Sequence, residues 1–388
     1  MQLKQTIAPL FAAALALVPA IAMAEDEDQY IQLRQLELID DACHALKYFE
    51  RSYLGGRTAD ALNATSHHAM YQSGRIGDDE YDTWLKAADA AAAAKAKGAA
   101  CDATTAALFN DAHFDADSKT YATLLIAYQL GKLPPADTNY RALSDEEQQM
   151  AAGFDNFVKQ LYGTNYDVFV KSAQGIAQNK INDAVANYNL TDLLIEVDLA
   201  FVNLALEAYA TQNGFLVYPV ETGIGYAPAL FTPDGKLAAY IIDGATKYKI
   251  AGKAKVYGIL AMTPQHELRL MTFGADANAL PEKTKAAFYV RTKPAPADKK
   301  PWEIYDTNGW HKLATAYPGQ RISTGCMDGP CFAFPAEAFT ALKATTPGEY
   351  SEVFIATDDK MQPFDDSIES YKNNSVNNYY FNSLLKLE

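Results

Sequence analysis

The chain has 388 residues, with 33 Lys or Arg against 48 Asp or Glu and a formal net charge of −15 at pH 7. Hydrophobic residues make up 49% of the chain and aromatic residues 12%, so a sizeable core can be buried and wholesale disorder is excluded. A chain this acidic lacks the basic surface of a nucleic-acid binder or of a sensor of anionic lipids, so we expect no nucleic-acid partner.

The start of the chain, residues 1–24, has the pattern of a secretory signal peptide. Lys4 gives the positive first region, the run from Ile7 to Ile21 is apolar, and Ala22-Met23-Ala24 supplies small residues at a cleavage site. An uncleaved membrane anchor is the alternative, but the apolar run is short and two prolines interrupt it. The sequence therefore predicts export to a Gram-negative periplasm or secretion, with no membrane span after the signal is cleaved.

Predicted export determines how the four cysteines are interpreted, because an oxidising compartment favours disulfides. We predict the pairs Cys43–Cys101 and Cys326–Cys331, one in each half of the chain. Asp328-Gly329 lies within the second pair and favours a turn that brings the two sulfurs together. A redox pair or a metal site at the second pair is the alternative, but the spacing is not that of a redox motif.

Residues 25–212 have the periodicity of helices. One predicted helix begins near Asp78, and a second begins with a capping box formed by Ser144 and Glu147 and ends at Gly163. A weak repeat also lies in this region, because Ala42-Cys43 recurs as Ala100-Cys101, and the run from Tyr71 to Ile76 resembles the run from Tyr128 to Leu133, at nearly the same offset. A helical hairpin duplicated once predicts this pattern, and chance similarity in Ala-rich helices is the alternative.

The helix predicted from Thr191 to Tyr209 is apolar over most of its surface. Its polar residues fall in one narrow stripe, and Asp198 lies nearly opposite that stripe among aliphatic residues. We therefore expect Asp198 to be buried, and a buried carboxylate must be paired, hydrogen-bonded or protonated. A structural Asp and a tuned carboxylate at a functional site are both compatible with this position.

From Gly214 onward, short apolar runs are separated by Gly, Pro and Asp at intervals of about ten residues, which is typical of antiparallel sheets. Pro233-Asp234-Gly235 predicts a hairpin, and Ala336 to Lys343 predicts a short helix. Lys293 to Pro301 reads as an exposed connector. The predicted strand runs are Phe215–Tyr218, Leu237–Ile242, Tyr248–Ile250, Lys255–Leu260, Glu267–Phe273 and Ala287–Arg291.

The predicted fold class is α+β, with an N-terminal all-α helical-hairpin domain followed by a C-terminal mainly antiparallel β domain. After the signal peptide, we expect the helical domain over residues 25–212 and the β domain over residues 213–362. Residues 363–388 are expected to form a polar C-terminal tail that docks on the body.

Charge follows this division. Residues 25–212 hold 14 basic and 29 acidic side chains, whereas residues 213–388 hold 18 and 19. An acidic helical region is compatible with a solvated surface or with a surface for a protein or cationic ligand in the cell envelope.

Few residues carry an obvious chemistry, and we find no cofactor-binding motif and predict no cofactor. No catalytic group is predicted outright, and the weak candidates are Asp198, His266, Glu267 and His311. No metal site is predicted either, and the residues that come nearest to one are His44, His67, His68 and Met70.

Two classes of function remain from the sequence. The favoured interpretation is an exported, non-catalytic binding or protein-interaction protein with an acidic helical domain. The alternative is an exported hydrolase that acts on envelope polymer or peptide, with its site at the domain junction.

Overall fold

The computed structural model describes residues 8–132, 143–187, 190–222, 225–250, 254–293, 313–345, 350–356 and 374–387. Residues 26–212 form a helical region and residues 216–333 form a region of antiparallel sheet, so the predicted α+β fold class is confirmed. Most of the predicted connector from Lys293 to Pro301 lies outside the described residues. None of the helices within the described ranges combines the length and apolarity that a membrane crossing requires.

Two compact units divide the chain, Met1–Asp117 and Ser118–Glu388. The predicted domain ranges, which change at residues 212–213, stay predictions. The helices of the first unit are α1 (Ala8–Cys43), α2 (Tyr48–Ala64), α3 (Ser66–Gln72), α4 (Asp78–Ala96), α5 (Ala103–Ala107) and the first part of α6 (Asn110–Leu130). The predicted cleavage site after Ala24 falls within α1, and its cleavage also remains a prediction.

The first unit forms because α1 packs against α2 and α4. Acidic residues occupy the first turn of α4 and Lys95 its last turn, which complements the helix dipole. Gly98 follows with a φ of 84°, a conformation that suits glycine at a helix end. The buried apolar core cluster of this unit consists of Tyr30, Leu33, Ile39, Leu46, Leu54, Ala61, Ala88, Phe109 and Ala112.

The structure pairs the cysteines as the sequence predicts. Cys43 is bonded to Cys101 and Cys326 to Cys331, with Cα atoms 5.3 Å and 5.6 Å apart, both normal separations for disulfides. Two disulfides are typical of a protein that folds in an oxidising compartment. The duplication of a helical hairpin around the first pair stays a prediction.

The helices of the second unit precede its sheets. They are α7 (Asp145–Tyr162), a 3₁₀ turn (Gly163–Asn165), α8 (Tyr166–Ala186) and α9 (Leu190–Gln212). The capping box is present: the Ser144 hydroxyl accepts the Glu147 N–H at 3.3 Å, and the Glu147 carboxylate accepts the Ser144 N–H at 2.7 Å. Gly163 ends α7 with a φ of 50°. Both predicted ends of this helix are therefore confirmed.

The prediction that Asp198 is buried is wrong. In α9, the buried face repeats every four residues through Leu193, Val197 and Phe201, and Asp198 is exposed. Ile195 and Leu199 are also about half exposed, at 51% and 54%. The periodicity overestimated burial because it counted apolar residues around the helix and could not show that this part of α9 packs along one stripe.

Antiparallel pairing joins every described strand to its neighbours. One sheet has the order β1-β2-β3-β4-β5-β9-β8, and the other has the order β11-β10-β6-β7. The strands are β1 (Leu216–Thr222), β2 (Gly225–Phe231), β3 (Leu237–Ile250), β4 (Ala254–Met262), β5 (Leu268–Phe273), β6 (Lys285–Arg291), β7 (Ala314–Pro318), β8 (Gln320–Ile322), β9 (Cys331–Ala333), β10 (Tyr350–Ala356) and β11 (Asn374–Asn377).

The predicted hairpin at Pro233-Asp234-Gly235 joins β2 and β3. The two runs predicted from Leu237 to Ile250 are one strand, and Asp243 lies where its register against β4 shifts. A bulge thus explains the polar interruption that made the sequence read as two strands.

The core of the second unit is apolar and includes residues from both sheets. The predicted short helix is α10 (Ala336–Lys343), and its residues Ala338 and Leu342 are fully buried in that core. A last helix, α11 (Asn378–Leu384), adds Phe381 and Leu384. The described end of the chain therefore docks on the sheets through apolar side chains, while the preceding residues 357–373 lie outside the described ranges.

Candidate functional site

Six aromatic rings follow one another across the first unit. They belong to Tyr30 of α1, to His67, His68 and Tyr71 of α3, and to Tyr81 and Trp84 of α4. Carboxylates interact with the rings of Tyr30, His67 and Tyr71, and the charge of a further carboxylate acts on Tyr81. We call the rings, together with Glu27, Asp78, Asp82 and Asp89, the aromatic–acidic surface.

Local sequence signals place α3 and α4 beside each other. The Thr65 hydroxyl caps α3 by accepting the His68 N–H at 3.2 Å. Gly74 follows α3 with a φ of 68°, which reverses the chain direction before α4. Asp78 then lies in the first turn of α4, where a carboxylate stabilises the helix.

Trp84 lies in the middle of the ring series. His67 stacks on it with 4.6 Å between the ring centroids, and Tyr30 and Tyr81 lie at 6.3 and 5.7 Å. Tyr71 stacks on Tyr81 at 4.4 Å. These separations are those of favourable aromatic pairs, so the rings support one another's orientation. All of these side chains except Tyr30 are only half-buried.

Carboxylates fix several of the rings. Glu27 lies 2.7 Å from Nδ1 of His67, and Asp89 accepts the Tyr30 hydroxyl at 2.9 Å. A hydrogen bond to Asp78 raises the pKa of the Tyr71 hydroxyl, and burial raises the pKa of Tyr81. His68 contacts the Tyr81 hydroxyl through Nδ1 at 3.0 Å.

Aromatic faces carry negative electrostatic potential and attract cations, and the adjoining carboxylates add formal negative charge. The aromatic–acidic surface can therefore bind a cationic group.

A second charged cluster of the first unit lies inside it. The Arg51 side chain is fully buried, with Nη1 at 2.9 Å from Glu37 and Nε at 3.3 Å from Asp40. Asp41 is 3.3 Å from the same guanidinium. Burial raises the pKa of Asp40, although its Oδ1 also accepts the Leu46 N–H at 2.7 Å. This cluster holds the end of α1 against α2, so we assign it a structural role.

Glu50, next to Arg51, is also buried and has two partners. It accepts the Lys47 N–H at 2.7 Å, and it lies 2.8 Å from Nδ1 of His113. The hydrogen bond to Glu50 raises the pKa of His113. This pair is the first unit's clearest pH-sensitive contact among the residues that the structure describes.

The four metal candidates do not share one coordination geometry. His67 and His68 bond to Glu27 and Tyr81, and Met70 is on the same helix. His44 has a φ of 48° and follows the end of α1. Within the described ranges, no group of three or more His, Cys, Asp or Glu side chains is placed to hold a metal ion.

Of the catalytic candidates within the described residues, Asp198 lies on α9, whereas His266 and Glu267 are neighbours in the turn between β4 and β5. Asp198 is exposed on α9, as described above. His266, in the turn between β4 and β5, has a φ of 63° and stacks on Phe339 at 4.6 Å. The neighbouring Glu267 accepts from Nε of Arg269 at 3.0 Å. His311 lies outside the described residues.

A carboxylate pair in the second unit was missed by the sequence analysis. Glu146 accepts the Tyr209 hydroxyl at 3.0 Å and the Ala275 N–H at 3.2 Å. Burial raises the pKa of Asp328, and the charge of Glu146 raises it further. Glu146 Oε2 and Asp328 Oδ1 are both buried without a hydrogen-bond partner in the described part of the chain.

The sequence carries a signal for the aromatic–acidic surface but none for the Glu146–Asp328 pair. The ring series was missed by the sequence analysis, although Tyr81 and Trp84 are three positions apart in the helix predicted from Asp78, and His67 and Tyr71 are four apart, spacings that place each pair on one side of a helix. Glu146 and Asp328 come from distant parts of the chain, and only the fold brings them together.

Comparisons with protein-family models, with curated proteins and with solved structures find no match.

Proposed function

We propose that this protein is an exported, non-catalytic binding protein whose first unit engages a basic protein in the cell envelope. The observation that carries the proposal is the aromatic–acidic surface, which combines half-buried rings with carboxylates. Interaction surfaces favour aromatic side chains, and negative surfaces attract and orient positively charged partners.

The charge distribution supports a basic partner. Residues 25–117 contain 18 acidic and only 8 basic side chains, a net charge of −10. One of the basic side chains, Arg51, is buried and faces carboxylates inside the unit. Such a surface accelerates encounters with cationic proteins, and salt weakens the attraction between exposed charges.

Export is supported by the predicted signal peptide and by the two disulfides. N-terminal sequencing of the protein recovered from the periplasm or the medium should begin at Glu25. A protein retained in the cytoplasm with its first residues intact would contradict the location.

Binding can be tested with oligolysine and the full chain, measured by fluorescence anisotropy at low and high salt. We expect salt-dependent binding that weakens when Asp78→Asn, Asp82→Asn and Asp89→Asn, three carboxylates of the aromatic–acidic surface, are combined. The matched control combines Asp167→Asn, Asp183→Asn and Asp198→Asn, which neutralises three exposed carboxylates of the second unit. Absent binding, or equal weakening by both triple variants, would contradict the proposal.

The alternative is an exported hydrolase, and the specific observation that favours it is the Glu146–Asp328 pair. Burial raises the pKa of Asp328, and a carboxyl group with a raised pKa can act as a general acid beside a second carboxylate. In this alternative the site lies within the second unit and uses Tyr209 to hold Glu146.

The hydrolase alternative is tested by assaying the full chain on isolated cell-wall polymer and on a peptide mixture across a range of pH. It requires activity that Glu146→Gln and Asp328→Asn each abolish, while Glu267→Gln leaves it unchanged. Lack of hydrolysis of both substrates would leave binding as the better-supported function.

A further inference from the structure

We infer that the aromatic–acidic surface contacts arginine side chains of its partner and prefers them to lysine side chains. This inference rests on the proposed binding function and specifies which chemistry of the partner the surface recognises. It depends on the rings, whereas acidity alone would serve arginine and lysine alike.

The first step of the argument is access to the rings. Tyr71 and Trp84 are half-buried, with Tyr81 covering one side of Tyr71 and His67 covering one side of Trp84. Part of each ring therefore remains accessible to solvent. Their stacked neighbours hold them in place, so a partner would meet rings whose orientation is already fixed.

The second step is the placement of charge beside the rings. Asp78 is hydrogen-bonded to the Tyr71 hydroxyl, and Asp82 adds negative charge next to both Tyr71 and Tyr81. A guanidinium is planar, so it can stack on a ring while its N–H groups bond to a neighbouring carboxylate. An ammonium group is a compact, strongly hydrated charge and gains less from the ring face.

The third step concerns the cations already present. Arg34 of α1 lies 2.7 Å from Glu37 and 3.6 Å from Asp89, at the Tyr30 end of the ring series. That end is therefore already partly neutralised. We assign the arginine contact to the other end, where Tyr71 and Tyr81 stack.

The test compares oligoarginine with oligolysine of equal length, bound to the full chain at one ionic strength. The unsubstituted protein should bind oligoarginine more tightly. Tyr71→Leu should reduce the ratio of the two affinities by about two- to fivefold, the change expected for one cation–π contact, and Trp84→Leu by a similar or smaller factor. Tyr71→Phe keeps the ring and should retain the preference.

Two control variants separate ring contact from charge and from folding. Tyr162 is also half-buried and stacks on Phe169 at 4.6 Å, but it belongs to the second unit, so Tyr162→Leu should leave the ratio unchanged. Asp79→Asn removes an exposed negative charge of α4 outside the aromatic–acidic surface, so it should weaken both peptides by the same factor. Circular dichroism of each variant checks that the helices are retained, and Tyr71→Phe provides the folded reference.

The outcomes distinguish this inference from the function on which it rests. If both peptides bind in a salt-dependent manner but Tyr71→Leu leaves the ratio unchanged, the arginine contact is overturned and the binding function stands. If neither peptide binds, the proposed function fails as well. Binding of a neutral oligosaccharide that Tyr71→Leu abolishes would overturn the arginine assignment and identify a sugar-binding surface.

Discussion

The interiors of the two units of this chain differ in their balance of apolar and charged side chains. The core of the second unit consists of apolar and aromatic side chains from two sheets and two short helices. The first unit buries Arg51 with Glu37, Asp40 and Glu50, alongside a smaller apolar core, and adds a disulfide. A small helical unit has little apolar surface to bury, so cross-links and specific polar contacts contribute more to its stability.

One substitution in each interior should cost a similar amount of stability, but for different physical reasons. Phe288→Ala, in the core of the sheets, should cost about 3–5 kcal/mol because it leaves a cavity. Arg51→Met should cost about 3–5 kcal/mol because it leaves buried carboxylates without their cation. Denaturant unfolding should show that acidification reduces the cost of the Arg51 substitution, since the carboxylates can then take up protons.

Arg57→Met is the matched control for that substitution. Arg57 is 35% exposed and lies 3.9 Å from Asp115, so its loss should change the free energy of unfolding by less than about 1 kcal/mol. If Arg51→Met and Arg57→Met cost the same, the buried cluster does not stabilise the first unit in the way the geometry indicates.

Removing the disulfide should cost the first unit more stability than it costs the second. Cys43 and Cys101 are 58 residues apart, whereas Cys326 and Cys331 are 5 apart. The chain-entropy model therefore expects the pair Cys43→Ser and Cys101→Ser to cost about 4 kcal/mol, and the pair Cys326→Ser and Cys331→Ser about 2 kcal/mol. Thermal unfolding of both double variants measures the difference, and the reverse order would contradict the entropic explanation.

The parts of the fold that the sequence predicted are those with local causes. The capping box at Ser144 and the hairpin at Pro233-Asp234-Gly235 each depend on residues close together in the chain. The cysteine pairing also followed from the predicted compartment and from the few pairings possible. The capping box and the hairpin need no tertiary information because their contacts lie within one or two turns of the backbone, whereas Cys43 and Cys101 are 58 residues apart and their pairing was inferred from the compartment.

The parts that the sequence could not predict depend on packing. Periodicity placed Asp198 among apolar residues, but the direction in which α9 packs decides its exposure. Nothing local marks Arg51 as buried, since its partners Glu37 and Asp40 belong to another helix. The Glu146–Asp328 pair likewise requires a helix start and a disulfide loop to meet in the fold.

A smaller effect should follow from removing a helix cap in the second unit. Ser144→Ala removes the acceptor of the Glu147 N–H, and it should lower the free energy of unfolding by about 1 kcal/mol. Ser144→Asp keeps an acceptor at the same position and should retain most of the stability. If Ser144→Ala lowers the free energy of unfolding by much more than about 1 kcal/mol, the cap also stabilises the interior of the second unit. Polar contacts would then matter in both units, and the contrast with the Arg51 cluster of the first unit would be weaker.

The smallest expected effect is a pH dependence in the first unit. Glu50 raises the pKa of His113 above its ordinary value of 6.5, so the folded state favours the protonated ring. The resulting stability is fully present below pH 6.5 and is lost as the pH rises through the raised pKa. His113 is partly exposed, so its contribution should stay below about 1 kcal/mol. His113→Gln should remove this slope from unfolding curves measured on both sides of neutrality, while His266→Gln, in the second unit, should leave it intact. If the free energy of unfolding depends on pH equally in the unsubstituted chain and in His113→Gln, protonation of His113 beside Glu50 does not stabilise the first unit.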